Sequence, residues 1–143
     1  MRLFRLAALL PFLLVTVPVA VAQQPGQHFL DNWDLDESGD VSVDELRERR
    51  GDVFSSFDHD DNGVLDEDEY DVFDEARHSD MQNEPGRGKG MDHVMRGLER
   101  QNNDADGDGL VSREEFVGNS DAWFRSLDRN EDGIVNTDDF GRH

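Results

Sequence analysis

Residues 104–115 read Asp104-Ala105-Asp106-Gly107-Asp108-Gly109-Leu110-Val111-Ser112-Arg113-Glu114-Glu115, and this stretch decides the fold. Carboxylates stand at its first, third, fifth and twelfth places, with glycine at the sixth and an apolar residue at the eighth. A calcium ion needs six to eight oxygens at about 2.3–2.6 Å, and a twelve-residue loop supplies them from places 1, 3, 5, 7, 9 and 12 around a sharp glycine turn. The stretch fits that template: carboxylates from Asp104, Asp106, Asp108 and Glu115, the backbone carbonyl of Leu110, and Ser112 acting through water.

Outward from this loop the pattern repeats. Seventy positions earlier stands Asp34-Leu35-Asp36-Glu37-Ser38-Gly39-Asp40-Val41-Ser42, and a second couple at the same offset joins Asp58-His59-Asp60-Asp61-Asn62-Gly63-Val64-Leu65-Asp66 to Asp128-Arg129-Asn130-Glu131-Asp132-Gly133-Ile134-Val135-Asn136. The loops therefore come as two pairs, with 24 residues between loop starts in each. The first offers Asp34, Asp36, Ser38, the carbonyl of Asp40, Glu45 and, through water, Ser42. The second offers Asp58, Asp60, Asn62, the carbonyl of Val64, Glu69 and, through water, Asp66. The fourth offers Asp128, Asn130, Asp132, the carbonyl of Ile134, Asp139 and, through water, Asn136. A disordered acidic chain has no reason to place glycine at every sixth and an apolar residue at every eighth position.

Between the loops the apolar spacing is helical. Met91, Val94, Met95 and Leu98 form one stripe and Tyr70, Phe73 and Ala76 another, and both are read as core. Leu46–Phe57 and Phe116–Leu127 must each leave one loop and enter the next. Gly51-Asp52 and Gly118-Asn119-Ser120 supply stop and start signals inside them, which predicts two short helices with a turn in each segment. His28, His59, His78, His93 and His143 show no ligand spacing and are read as solvated. Residues 79–90 hold Pro85, Gly86, Gly88 and Gly90 and are expected to form a flexible linker.

At these residues the chain resembles the EF-hand superfamily, over Phe29 to Phe140, and with its N-terminus it is similar to small exported bacterial members. The resemblance implies an all-α fold of four helix-loop-helix motifs in two closely spaced pairs, covering 23–78 and 91–143. It also implies a short antiparallel strand joining the paired loops through Val41, Leu65, Val111 and Val135. The last loop looks like that of dockerin modules. Its Asp139 is one methylene shorter than glutamate, which predicts the weakest site.

The N-terminus carries Arg2 and Arg5, then an apolar run from Leu6 to Val21 that ends at Ala20-Val21-Ala22. The run is too short and too interrupted by proline to span a bilayer, so residues 1–22 are expected to be a signal peptide cut after Ala22, leaving no membrane span and a periplasmic or secreted chain. The whole chain has 14 Lys+Arg, 34 Asp+Glu and a net charge of −20. That charge disfavours nucleic acid and anionic surfaces and favours cations. With no cysteine there is no disulfide framework, thiolate metal site or cysteine nucleophile. No Ser/His/acid arrangement or phosphate loop appears, so catalysis is not expected. The expected activity is calcium binding as a responsive module engaging an extracytoplasmic protein, with a buffer or structural envelope role as the alternative.

Overall fold

The computed structural model describes residues 24–82 and 89–141; the expected signal and the centre of the expected linker lie outside the described residues. The helices are α1 Gln27–Trp33, α2 Val43–Phe57, α3 Glu67–Gln82, α4 Lys89–Gly97, α5 Arg100–Asn103, α6 Arg113–Gly118, α7 Ser120–Leu127 and α8 Thr137–Phe140. Two-residue strands β1, Val64–Leu65, and β2, Val111–Ser112, complete this mostly helical chain. The ends of the expected linker are helical, since residues 79–82 finish α3 and residues 89–90 open α4.

Each loop is held between two helix ends built by the same local chemistry. The helix entering a loop closes on its first aspartate: the N–H groups of Asp34, Asp58, Asp104 and Asp128 donate to the carbonyls of Leu30, Phe54, Arg100 and Phe124. The helix leaving a loop opens on a capping residue. The Ser42 hydroxyl accepts from the Glu45 N–H while the Glu45 carboxylate accepts from the Ser42 N–H, and Ser112 with Glu115 repeats the arrangement. These reciprocal bonds satisfy N–H groups that the first helical turn leaves open.

The strand pairing differs from the expectation. β1 pairs antiparallel with β2, placing Leu65 opposite Val111, and Val41 bridges Val135. The second loop thus pairs with the third, and the first with the fourth, across the two halves of the sequence. The cause is the length of α2. Its 15 residues, at 1.5 Å each, separate the first two loops by about 22 Å, whereas paired strands lie about 4.8 Å apart. The first and second loops therefore cannot pair with each other, and each finds its partner in the other half.

Accordingly the two halves share one core. Val41, Leu65, Val111 and Val135 sit at its centre with Leu46, Phe54, Tyr70, Phe116 and Leu127, all nearly inaccessible to water. Burying each such large apolar side chain contributes about 1.5–3 kcal/mol. Of the two stripes, Met91, Val94 and Leu98 are buried, as are Tyr70 and Phe73, whereas Ala76 is exposed and Arg77 takes the inward place. His28 also departs from the solvated reading: its side chain is only 19% exposed and its Nε2 lies 2.8 Å from Asp80 Oδ2.

A further correction concerns α2. It runs unbroken through Gly51, so the first segment is one rod, while the second divides as expected, α6 ending at Gly118 and α7 starting at Ser120. Arg50 links the two. Its fully buried guanidinium donates to the carbonyls of Phe116 at 2.8 Å and Gly97 at 3.2 Å and to the Asn103 side-chain oxygen at 2.5 Å. It also lies 4.2 Å from the centre of the Phe116 ring. Asn103 in turn donates to the Tyr70 hydroxyl, which donates to the Leu98 carbonyl at 2.7 Å. Burial pushes the Arg50 pKa down to about 10, which still leaves the group charged at neutral pH. Among the described residues no carboxylate pairs with it. Helix-end carbonyls and aromatic faces stabilise the cation instead.

Candidate metal centres

The backbone of each loop wraps its first aspartate. Asp34 accepts from the N–H groups of Ser38 and Gly39, at 3.1 and 2.8 Å. Asp58 accepts from Asn62 and Gly63, Asp104 from Gly107 and Gly109, and Asp128 from Asp132 and Gly133. This turn requires two left-handed residues. Glycine fills one at the sixth place of every loop, with φ between 85° and 92°. The other falls at the fourth place, occupied by Glu37, Asp61 and Glu131 at φ 55–59° and by Gly107 in the third loop. A non-glycine residue is disfavoured there by about 1–2 kcal/mol, so the third loop carries less backbone strain. The requirement at the fourth place was missed from the sequence, although Gly107 was its visible signal.

The twelfth residue ties the two ends of each loop together. Glu45 accepts from the N–H of Leu35 through one oxygen and from that of Ser42 through the other. Glu69 does the same with His59 and Asp66, and Glu115 with Ala105 and Ser112. Asp139 makes the equivalent bonds, to Arg129 at 2.8 Å and Asn136 at 2.9 Å, and is only 1% exposed. Its shorter reach therefore does not cost it this anchoring.

Three carboxylate groupings result, in each of which one oxygen per residue lies within 4.8 Å of the others: Asp34, Asp36 and Glu45; Asp58, Asp60 and Glu69; Asp104, Asp106 and Glu115. These are the first, third and twelfth places of the first three loops. The fourth loop has Asn130 at the third place, and the described residues form no such acidic grouping there. Hydrogen bonding from Ser38 holds the Asp36 carboxyl below its ordinary pKa, and the Ser112 N–H and hydroxyl do the same for Glu115. Both are thus ionised at neutral pH. Each oxygen of Asp34, Asp58 and Asp104 accepts a single N–H and so keeps a second lone pair for a cation, whereas both Glu115 oxygens already accept two hydrogen bonds.

At the fifth place, Ser38, Asn62, Asp108 and Asp132 accept from the N–H two residues on, at Asp40, Val64, Leu110 and Ile134, and Ser38 in addition donates its hydroxyl to the Asp40 carbonyl. The ninth place has a structural duty that the sequence reading overlooked. Ser42, Asp66, Ser112 and Asn136 each accept from an N–H two or three residues on, capping the helix that leaves the loop. The Ser-x-x-Glu pattern at Ser42 and Ser112 was the available signal. Asn136 also donates to Asp40 Oδ1 at 3.1 Å, which ties the fourth loop to the first.

The donor set is all oxygen and mostly anionic, which suits a hard divalent cation and does not suit zinc, with its preference for nitrogen and sulfur ligands. The EF hand family model matches residues 104–117 and 121–142, that is, the third loop with α6 and then α7 through the fourth loop and α8. The match supports the EF-hand superfamily. Together with the acidic groupings the match suggests calcium binding. No curated protein matches the chain. No helix among the described residues is long and apolar enough to cross a membrane.

Proposed function

We propose that this is an exported, non-catalytic protein that binds calcium at four loops and acts as a calcium-responsive binding module. The observation that carries the calcium reading is the convergence of the first, third and twelfth carboxylates in the first three loops. The fourth loop completes its oxygen set with Asn130 and is the weakest site. The second and third bind tightest, each having four acids in place: Asp58, Asp60, Asp66 and Glu69, and Asp104, Asp106, Asp108 and Glu115. The basic start, apolar run and Ala20-Val21-Ala22 ending support export, and cleavage after Ala22 would remove Arg2 and Arg5 and take the net charge from −20 to −22. In a calcium-rich compartment a responsive protein needs micromolar to millimolar sites.

Bringing three carboxylates together costs free energy, because two unit charges 4 Å apart repel by roughly 4 kcal/mol at an effective dielectric near 20. Calcium offsets that repulsion only in the ordered loop, so binding adds to folding stability by mass action. The shared core favours the second reading, a buffer or structural protein, because loops paired across the halves resist opening separately. Calorimetric titration of the chain beginning at Gln23 tests both. Close to four ions are expected, falling by one in Glu45→Gln; at most one ion at millimolar calcium would refute the proposal. Nanomolar constants at all four loops in 0.15 M salt would leave the structural reading.

A further inference from the structure

Apart from Met1, every methionine of the chain stands in one place. Met81 on α3 and Met91 and Met95 on α4 line a cleft of about 240 Å3, together with His78, Gln82 and Asp92. Elsewhere the core is filled by leucine, valine and aromatic rings. His78 and Met81 are three residues apart and Met91 and Met95 four apart, so each pair occupies one face of its helix, a turn apart. The two helices are tied together at this point, because Arg77, the neighbour of His78, donates from Nη1 to the Met95 carbonyl at 2.7 Å. Three thioethers and an imidazole therefore share the walls of one small space.

The chemistry of this donor set is unlike that of the loops. Thioether sulfur is soft and polarizable and selects Cu(I) over hard ions such as calcium, and imidazole also suits copper. Asp92 brings a negative charge to the same walls, and among the described residues no arginine or lysine lines the cleft, so an entering cation is attracted. Met91 is buried, whereas Met81 and Met95 are half-buried and His78 is exposed, which leaves a way in from solvent. The same three methionines also border a larger cavity walled by Trp33, Phe57 and Phe73, and an apolar backing of this kind limits water at a metal site. Unbranched methionine side chains are flexible enough for their sulfurs to close on an ion while the helices stay in place. We propose that Met81, Met91, Met95 and His78 form a site for a soft monovalent cation, Cu(I). This site is separate from the calcium loops and does not rest on their reading.

Ag(I), a redox-stable stand-in for Cu(I), is the first probe, added in chloride-free buffer to calcium-saturated protein, whose acidic loops are then already filled. With 13C-methyl methionine in the chain, the Met81, Met91 and Met95 methyl resonances should move together and saturate at one Ag(I) per chain. Cu(I) held by bicinchoninate as its coloured complex should pass to the protein. Met91→Leu combined with Met95→Leu conserves side-chain volume and should weaken both ions by about tenfold or more, since even residues one step removed from a metal are worth that much. Should this variant fail to fold, Met95→Leu alone, at a half-buried position, takes its place. His78→Gln, at an exposed position, should weaken both ions likewise. Methyl resonances unmoved by Ag(I), or binding undiminished in the methionine variant or in His78→Gln, would each overturn the proposal.

Discussion

Residues 43–57 and 113–127 occupy the same place in the two halves of the chain, 70 positions apart, yet one is a continuous rod and the other breaks at Asn119. Both contain the same kind of local signal, a glycine followed by polar residues. Along α2, Leu46, Arg50 and Phe54 bury one face at helical spacing, so a break at Gly51 would take Phe54 off that face. In the second segment two carbonyls near the break have side-chain donors: Phe116 accepts from Arg50, and Val117 from the Ser120 hydroxyl at 2.6 Å. The position equivalent to Ser120 in the first half is Arg50 itself. Glycine permits a break, but the break forms where the freed carbonyls find other donors.

The severest way to disturb this contrast is Arg50→Met, which keeps the bulk of the side chain but removes the side-chain donor to the Phe116 carbonyl and leaves the Gly97 carbonyl and the Asn103 oxygen with only their bonds from Asn103 and Asn119. It should cost about 1.5–3 kcal/mol, measured by denaturant unfolding in saturating calcium; a loss below about 1 kcal/mol would mean that Arg50 does not hold the broken segment in place. Next comes Gly97→Ala. A methyl there would meet the Trp123 indole at 1.9 Å, so α4 and α7 must move apart, at about 1–3 kcal/mol. Thermal unfolding of this variant should show a lowered midpoint, and an unchanged one would place Trp123 elsewhere.

The polar cluster around Arg50 also sets a pH dependence. Burial raises the Tyr70 pKa to about 12, against about 10 in an unfolded chain. The folded protein holds this proton more tightly, so its contribution is complete below pH 10 and is lost as pH rises toward 12. Arg50, with its pKa lowered, works in the opposite sense over the same range, so the comparison needs a variant. Between pH 9 and 11 the unaltered protein should lose about 1 kcal/mol more stability than Tyr70→Phe. Parallel pH profiles for the two would argue against a buried tyrosine hydroxyl in this cluster.

The smallest effect is expected at Gly51→Ala. The new methyl would meet only the end of the flexible Arg113 side chain, at 3.0 Å. A helix-interior glycine replaced by alanine gains up to about 1 kcal/mol. Stabilisation in calcium would sharpen the distinction between rod and break, whereas a loss would mean that Gly51 is needed as a hinge.

These contrasts separate what was legible from what was not. The four loops could be read because their chemistry is local: a turn that brings five or six oxygens inward within twelve residues fixes residue type at each place, glycine above all. Asp34, Asp36 and Glu45, and their counterparts in the next two loops, were named from that spacing and lie together in the structure. The caps at Ser42 and Ser112 were equally legible, being bonds between residues three apart, but were overlooked in favour of a ligand role.

The sequence by itself determined the loops, the helical character between them and the acidic charge that calls for cations. Only the tertiary structure decided that Gly51 continues a helix while Gly118 ends one, that Arg50 lies in the core, and that Val41 meets Val135 and Leu65 meets Val111. Local bonding gives a glycine two acceptable conformations of similar free energy, and burial of Leu46, Arg50 and Phe54 on one face selects between them. Strand partners depend on where rigid helices carry the loops. The length of α2 prevents the nearest loops in sequence from pairing, and so joins the two halves into one core.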